Sequence, residues 1–153
     1  MAKVGGGRKK KALPAEELDR LVTAARGARE RAYAPYSKYK VGAAILTKSG
    51  SVYTGANVEN ASYPAGLCAE RAAVAQMIAA GEREPVACAV ATGGAKPGSP
   101  CGFCRQVLRE FATDMRIVLV AEEKGRLSRR ETSLAKLLPE AFDGSALKKK
   151  GKQ

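Results

Sequence analysis

The sequence predicts an α/β protein, a three-layer α-β-α sandwich around a mixed sheet of about five strands. Three observations carry that class. Helical and extended apolar patterns follow one another in the order α-β-β-α-β-α-β-(β)-α, which places helices on both faces of one sheet. The two extended runs around Lys48-Ser49-Gly50 are joined by so short a turn that a hairpin is the simplest reading. The chain has 153 residues, 45% hydrophobic and 27% charged, enough for a single core without disulfide staples.

Each element has its own justification. Pro14 followed by Glu16 and Glu17 opens a helix, because proline fits a first turn and acids suit the positive end of the dipole. Leu18, Leu21, Val22 and Ala25 repeat at i, i+3, i+4 and i+7, giving one apolar face to about Arg31, and Pro35 stops it. Val41–Leu46 and Ser51–Ala56 are the hairpin strands. The alanine-rich run from Cys68 to Ala80 is a helix closed by Gly81. Val86–Ala91 is a third, buried strand. A Gly/Pro loop over Gly93–Pro100 leads into a helix from about Cys101 to Ala112. Ile117–Ala121 is a fourth strand. Glu122–Arg130 reads as a loop reaching at most a weak fifth strand, and Ser133–Leu138 as a last short helix ended by Pro139.

The charge is uneven. Lysine and arginine exceed the acids by twelve, but residues 1–13 carry five basic residues and residues 144–153 carry four, with no acid in either run. Both segments read as solvated basic tails flanking one domain over 14–143, with nucleic acid at most an accessory partner through them. No stretch nears the ~20 apolar residues of a membrane span. The first residues lack the apolar centre of a secretory signal, and four cysteines without one point to a reducing, cytoplasmic setting. Histidine is absent altogether, which excludes Ser-His and Cys-His catalysis and every histidine-containing metal site.

Sulfur must then do the metal binding. Cys68 opens one helix, and Cys101 and Cys104 open the next, where i and i+3 side chains share a side. A helix N-terminus favours thiolate. Three thiolates converging at one end of the sheet make a zinc site. Cys88 lies early in its strand, roughly 10 Å from that strand's far end at ~3.3 Å per residue, and reads as a core thiol. The fourth zinc position is therefore open, as in catalytic rather than structural sites. Glu70, two residues after Cys68, is the carboxylate placed to move a proton there.

Cys68-Ala69-Glu70-Arg71 followed by Pro100-Cys101-Gly102-x-Cys104-Arg105-Gln106 resembles the small zinc-dependent cytidine deaminases, in the three-cysteine form of their pattern. The likeness runs from about Tyr33 to Phe142. It includes Pro35-Tyr36-Ser37-x-Tyr39-x-Val41-Gly42-Ala43-Ala44, with Tyr39 where phenylalanine is usual, and Thr54-Gly55-Ala56-Asn57-Val58-Glu59-Asn60-Ala61-x-Tyr63-Pro64. The resemblance implies one Zn2+ per subunit and hydrolysis of cytidine, with 2′-deoxycytidine, to uridine and ammonia in pyrimidine salvage. It implies that Asn57 and Glu59 bond the ribose hydroxyls, that Tyr39 and Ala69 belong to the substrate contacts, and that Arg71 donates to a ligand sulfur. It further implies a homotetramer in which Tyr63 and Phe142 contribute across subunits, including stacking on the base. Glu70 would then carry a proton from the zinc-activated water to N3 and to the leaving amine. Competing readings are a blasticidin-type deaminase, a polynucleotide-editing deaminase, and a zinc-structured RNA-binding module without catalysis.

Overall fold

A computed structural model describes residues 13–147. The basic runs at the two ends thus lie outside the described residues, apart from Leu13 and a 3-10 turn at Gly144–Leu147. The elements in order are α1 (Ala15–Glu30), β1 (Gly42–Thr47), β2 (Val52–Ala56), α2 (Ala69–Ala79), β3 (Pro85–Gly93), α3 (Gly102–Phe111), β4 (Arg116–Glu123), β5 (Arg126–Ser133) and α4 (Leu134–Leu137). The strands form one sheet in the order β2-β1-β3-β4-β5. Only β3 and β4 run parallel, joined through α3, and the other neighbours are antiparallel, so the sheet is mixed.

Alternation along the strands builds a core on each face. Ala44 and Leu46 of β1, Ala87, Ala89 and Ala91 of β3 and Val118 and Val120 of β4 meet Leu18, Leu21, Val22 and Ala25 of α1. The intervening residues Ala43, Ile45, Cys88, Val90, Ile117 and Leu119 meet Ala73, Val74 and Met77 of α2 and Leu108 of α3. The alanines keep the α1 face thin, so the helix sits close to the sheet. Cys88 is fully buried in the second core, as its position in the strand suggested.

Gly55 sets how closely α2 approaches. A Cβ there would lie 2.3 Å from the Ala69 carbonyl oxygen and 2.4 Å from the Ala73 nitrogen, so any side chain would push the helix away. Since α2 begins immediately after Cys68, this glycine fixes the depth of the site's first cysteine and of Glu70.

One expectation needs correction. The stretch after the fourth strand is a full hairpin rather than a loop with a weak strand: β4 runs on to Glu123, and β5 pairs with it from Arg126↔Glu123 to Ser133↔Arg116. The reversal uses two residues, Lys124 and Gly125, both at positive φ (49° and 77°), a geometry whose twist matches antiparallel strands. Its charged, exposed residues belong to a sheet edge, where charge discourages further pairing.

Candidate active site

The sequence folds so that two helix starts face each other. Cys68 and Cys101 are the extended residues just before α2 and α3, and Cys104 lies in the first turn of α3. Cys68 Sγ is 3.9 Å from Cys101 Sγ, which is 3.5 Å from Cys104 Sγ, and all three sulfurs lie within 4.8 Å of one another. None is in a disulfide. A tetrahedral zinc with ~2.3 Å bonds needs sulfurs about 3.8 Å apart, so this donor set fits the ion in number, chemistry and spacing. The side chain of Glu70 is 4% exposed, and its Oε2 accepts from the Cys104 thiol at 3.4 Å.

The thiols differ in acidity. Cys104 is driven strongly upward by burial and then by the nearby negative charge of Glu70. Cys68 is raised, first by burial and then by Cys101. At Cys101 burial also opposes ionisation, but the Cys104 backbone N–H and hydrogen bonds from the other two thiols outweigh it, so its value is lowered. The lowering expected at the helix N-termini thus appears only at Cys101, because the other two sulfurs are burdened by desolvation. A cation at their centre would reverse that penalty. Cys88 is raised by its complete burial, in keeping with an inert core thiol.

Beside the cluster opens a cavity of about 770 Å³, into whose wall only Cys68 of the three thiols projects. Asn57, Glu59, Tyr63 and Arg71 also line it, whereas Tyr39, Ala69 and Phe142 do not. Ala69 is fully buried in the core between α2 and the sheet. A Cβ on Gly98 would meet the Tyr39 hydroxyl at 2.6 Å, so that ring lies over the loop leading to Cys101. Phe142 is exposed, its carbonyl accepting from Gln106 Nε2 at 3.0 Å.

Asn57 and Glu59 shape the cavity mouth by holding the chain opposite. Asn57 Oδ1 accepts from the Val41 N–H at 2.8 Å, and its Nδ2 donates to the Tyr39 carbonyl at 2.9 Å. Glu59 accepts from the Tyr36 and Ser37 N–H groups at 2.9 and 3.2 Å and from the Ser37 hydroxyl. That hydroxyl and the two amides hold the carboxyl below its ordinary value of 4.5, despite a smaller opposing effect of desolvation. Each side chain keeps unused capacity, one donor and one acceptor on the amide and one lone pair on the carboxylate. Between them, Val58 is locked to Leu67 by paired backbone bonds of 2.9 Å.

Arg71 departs from expectation in one respect. Its Nη2 donates to the Gly66 carbonyl at 2.8 Å rather than to a sulfur, bracing the segment that enters Cys68. Its Nε is buried without a hydrogen-bond partner, leaving a donor to spare. The sequence reading passed over Phe103, which lines the cavity and is 79% exposed. Its spacing gave no signal, since a residue two after Cys101 and one before Cys104 does not share their face of the helix.

The comparisons with known proteins agree with this geometry. The model of the cytidine and deoxycytidylate deaminase zinc-binding region matches residues 15–121. The chain is 44% identical over 126 residues to the cytidine deaminase of Sporosarcina psychrophila, covering 82% of this chain and 91% of that protein. The crystal structure of cytidine deaminase from Burkholderia pseudomallei superposes with a TM-score of 0.76 at 47% identity, over 81% of this chain and 98% of that one. That of the Mycobacterium tuberculosis enzyme gives 0.67 at 40% identity, over 82% and 96%. With the zinc-binding region matched across both helix starts that bear the cysteines, the chain belongs to the cytidine and deoxycytidylate deaminase family.

Proposed function

We propose that the protein is a zinc-dependent hydrolase that converts cytidine, and 2′-deoxycytidine, to uridine or deoxyuridine with release of ammonia. The observation that carries the reading is the buried carboxylate of Glu70 against a three-thiol cluster with no fourth protein ligand among the described residues.

Cys68, Cys101 and Cys104 would hold one Zn2+. Bound there, the ion supplies a water acidified toward neutral pH. Glu70 would take one proton from the attacking water and give it to N3, then take the second from the hydroxyl now on C4 and give it to the amine, so that the C4–N bond breaks as the carbonyl forms and ammonia leaves. The burial of Glu70 favours this relay, since few bulk-water contacts compete for the carboxylate. Arg71 contributes positive charge beside three thiolates and, through Gly66, steadies the approach to Cys68. The spare donor and acceptor sites of Asn57 and Glu59 suit the two ribose hydroxyls, which favours a ribonucleoside over a blasticidin-type substrate. A substrate contact by Ala69, which is buried at the start of α2 next to Glu70, would have to be made by its backbone.

Tyr63 and Phe103, which line the cavity, are 81% and 79% exposed, and Phe142, outside it, is 60% exposed, a large amount of bare aromatic surface for one chain. This supports a homotetramer in which Tyr63 and Phe142 complete sites shared between subunits, including stacking on the base, with Tyr39 among the substrate contacts. A cytoplasmic role in pyrimidine salvage fits the reduced cysteines. No helix of the described residues is long and apolar enough to cross a membrane.

The test is ammonia release from cytidine by zinc-loaded protein, with blasticidin S and single-stranded RNA as parallel substrates. Cytidine turned over in preference to both is the expected result. Salt-dependent RNA binding with no deamination of any substrate would instead favour the RNA-binding reading.

A further inference from the structure

The helix bearing Cys101 and Cys104 also bears a guanidinium to which the zinc chemistry assigns no task. Arg105, half-buried, follows Cys104 directly. Its Nε donates to the Pro100 carbonyl at 2.7 Å, its Nη1 to the Leu137 carbonyl at 2.7 Å, and its Nη2 to the Ser99 hydroxyl at 3.2 Å. Ser99 and Pro100 are the two residues that deliver the chain into Cys101, and Leu137 is the last residue of α4.

This matters because the two cysteines of α3 are fixed by different means. Cys104 is within the helix and buried, so helix geometry sets its sulfur. Cys101 is extended and exposed, at the end of a stretch from Gly94 that has neither helix nor strand. Proline at 100 has no N–H with which to anchor that approach. A planar guanidinium donating from three separate nitrogens is a rigid tie, whereas an ammonium donates from a single nitrogen with no fixed fork.

We infer that Arg105 is a positioning residue for the metal site: by clamping Ser99-Pro100 to the end of α4 it holds the Cys101 sulfur at its spacing from Cys104 and Cys68. The inference rests on the zinc reading above. Groups that orient metal ligands typically change affinity by about 10–100-fold when removed. Loss of this clamp should fall at the lower end, since Cys68 and Cys104 keep their own supports.

The experiment measures zinc affinity by competition with a chromophoric zinc chelator, together with the thermal stability of zinc-loaded and zinc-free protein. Arg105→Met retains the aliphatic stem and removes every donor, and should weaken zinc binding by about tenfold, shrinking the stability gained from zinc. Arg105→Lys should fall between that variant and wild type, and decides the matter alone if the methionine variant does not fold. Wild-type zinc affinity in the folded variants, with stability lost equally from loaded and zinc-free protein, would make Arg105 a plain brace for α4 and overturn the inference. Failure of the wild type itself to bind zinc would refute the zinc reading, and this inference with it.

Discussion

Asn57 and Glu59 carry a structural task in addition to the ribose contacts proposed for them. The family resemblance implies sugar recognition, which an amide and a carboxylate suit, but each also fastens the Tyr36–Val41 segment across the cavity mouth. No pattern in the sequence announces that, because the partners are backbone groups brought near by folding. The same holds for Arg71, whose bond to Gly66 depends on a turn five residues upstream. Because the Ser37 hydroxyl and the amides of residues 36 and 37 favour the ionised form, Glu59 should titrate below 4.5 in the folded protein. A depressed carboxyl contributes stability above its unfolded value and loses it as pH falls through the folded one, so the 36–37 turn should loosen only in that acid range. Carboxyl carbon NMR checks this: a Glu59 midpoint at or above 4.5 would contradict the hydrogen-bond account, and Ser37→Ala should move it upward. Phe103 offers a second test. If its ring faces the base, Phe103→Ala should raise KM for cytidine by about two- to tenfold with a smaller change in kcat, the size of one aromatic contact. Unchanged steady-state kinetics would remove it from the site.

Most elements were legible because their burial pattern is written into residue spacing. The four apolar positions of α1 all reach the core, and the short apolar runs became β1, β3 and β4. The exception, β5, is informative. Arg126–Ser133 carries six charged or hydroxyl-bearing neighbours in a row after Leu127, with no apolar alternation, since neither face is packed as the central strands are. Its order comes from eight register pairs with β4 and a two-residue reversal, features that only partner geometry reveals. Packing closeness was equally hidden. Gly55→Ala would drive a methyl group into the backbone of α2, and should cost about 1–3 kcal/mol in chemical denaturation. The same shift would move Cys68 and Glu70, so zinc retention should fall with stability. A variant as stable as wild type would mean that α2 rides on the sheet less tightly than these contacts require.

For the whole molecule, composition already excluded much. The absence of histidine left cysteine as the soft ligand, and the three sulfurs that the pattern singled out do meet within 4.8 Å. What a single chain could not display is its assembly. Aromatic surface of the extent seen at Tyr63, Phe103 and Phe142 is costly to leave in water, and light scattering should find a tetramer, with a fully active monomer as the contrary result. The basic runs at the two ends supply nine positive charges of the chain. The central claim is that three thiols hold zinc and that Glu70 turns its chemistry on cytidine. The most direct measurement is the ultraviolet absorbance of cytidine mixed with wild-type protein and with Glu70→Gln, the zinc content of both determined. Conversion to uridine by wild type, with nearly all turnover lost in a variant that still holds one zinc per subunit, is the predicted result. Near-wild-type turnover by Glu70→Gln, or a zinc-loaded wild type that leaves cytidine unchanged, would contradict it.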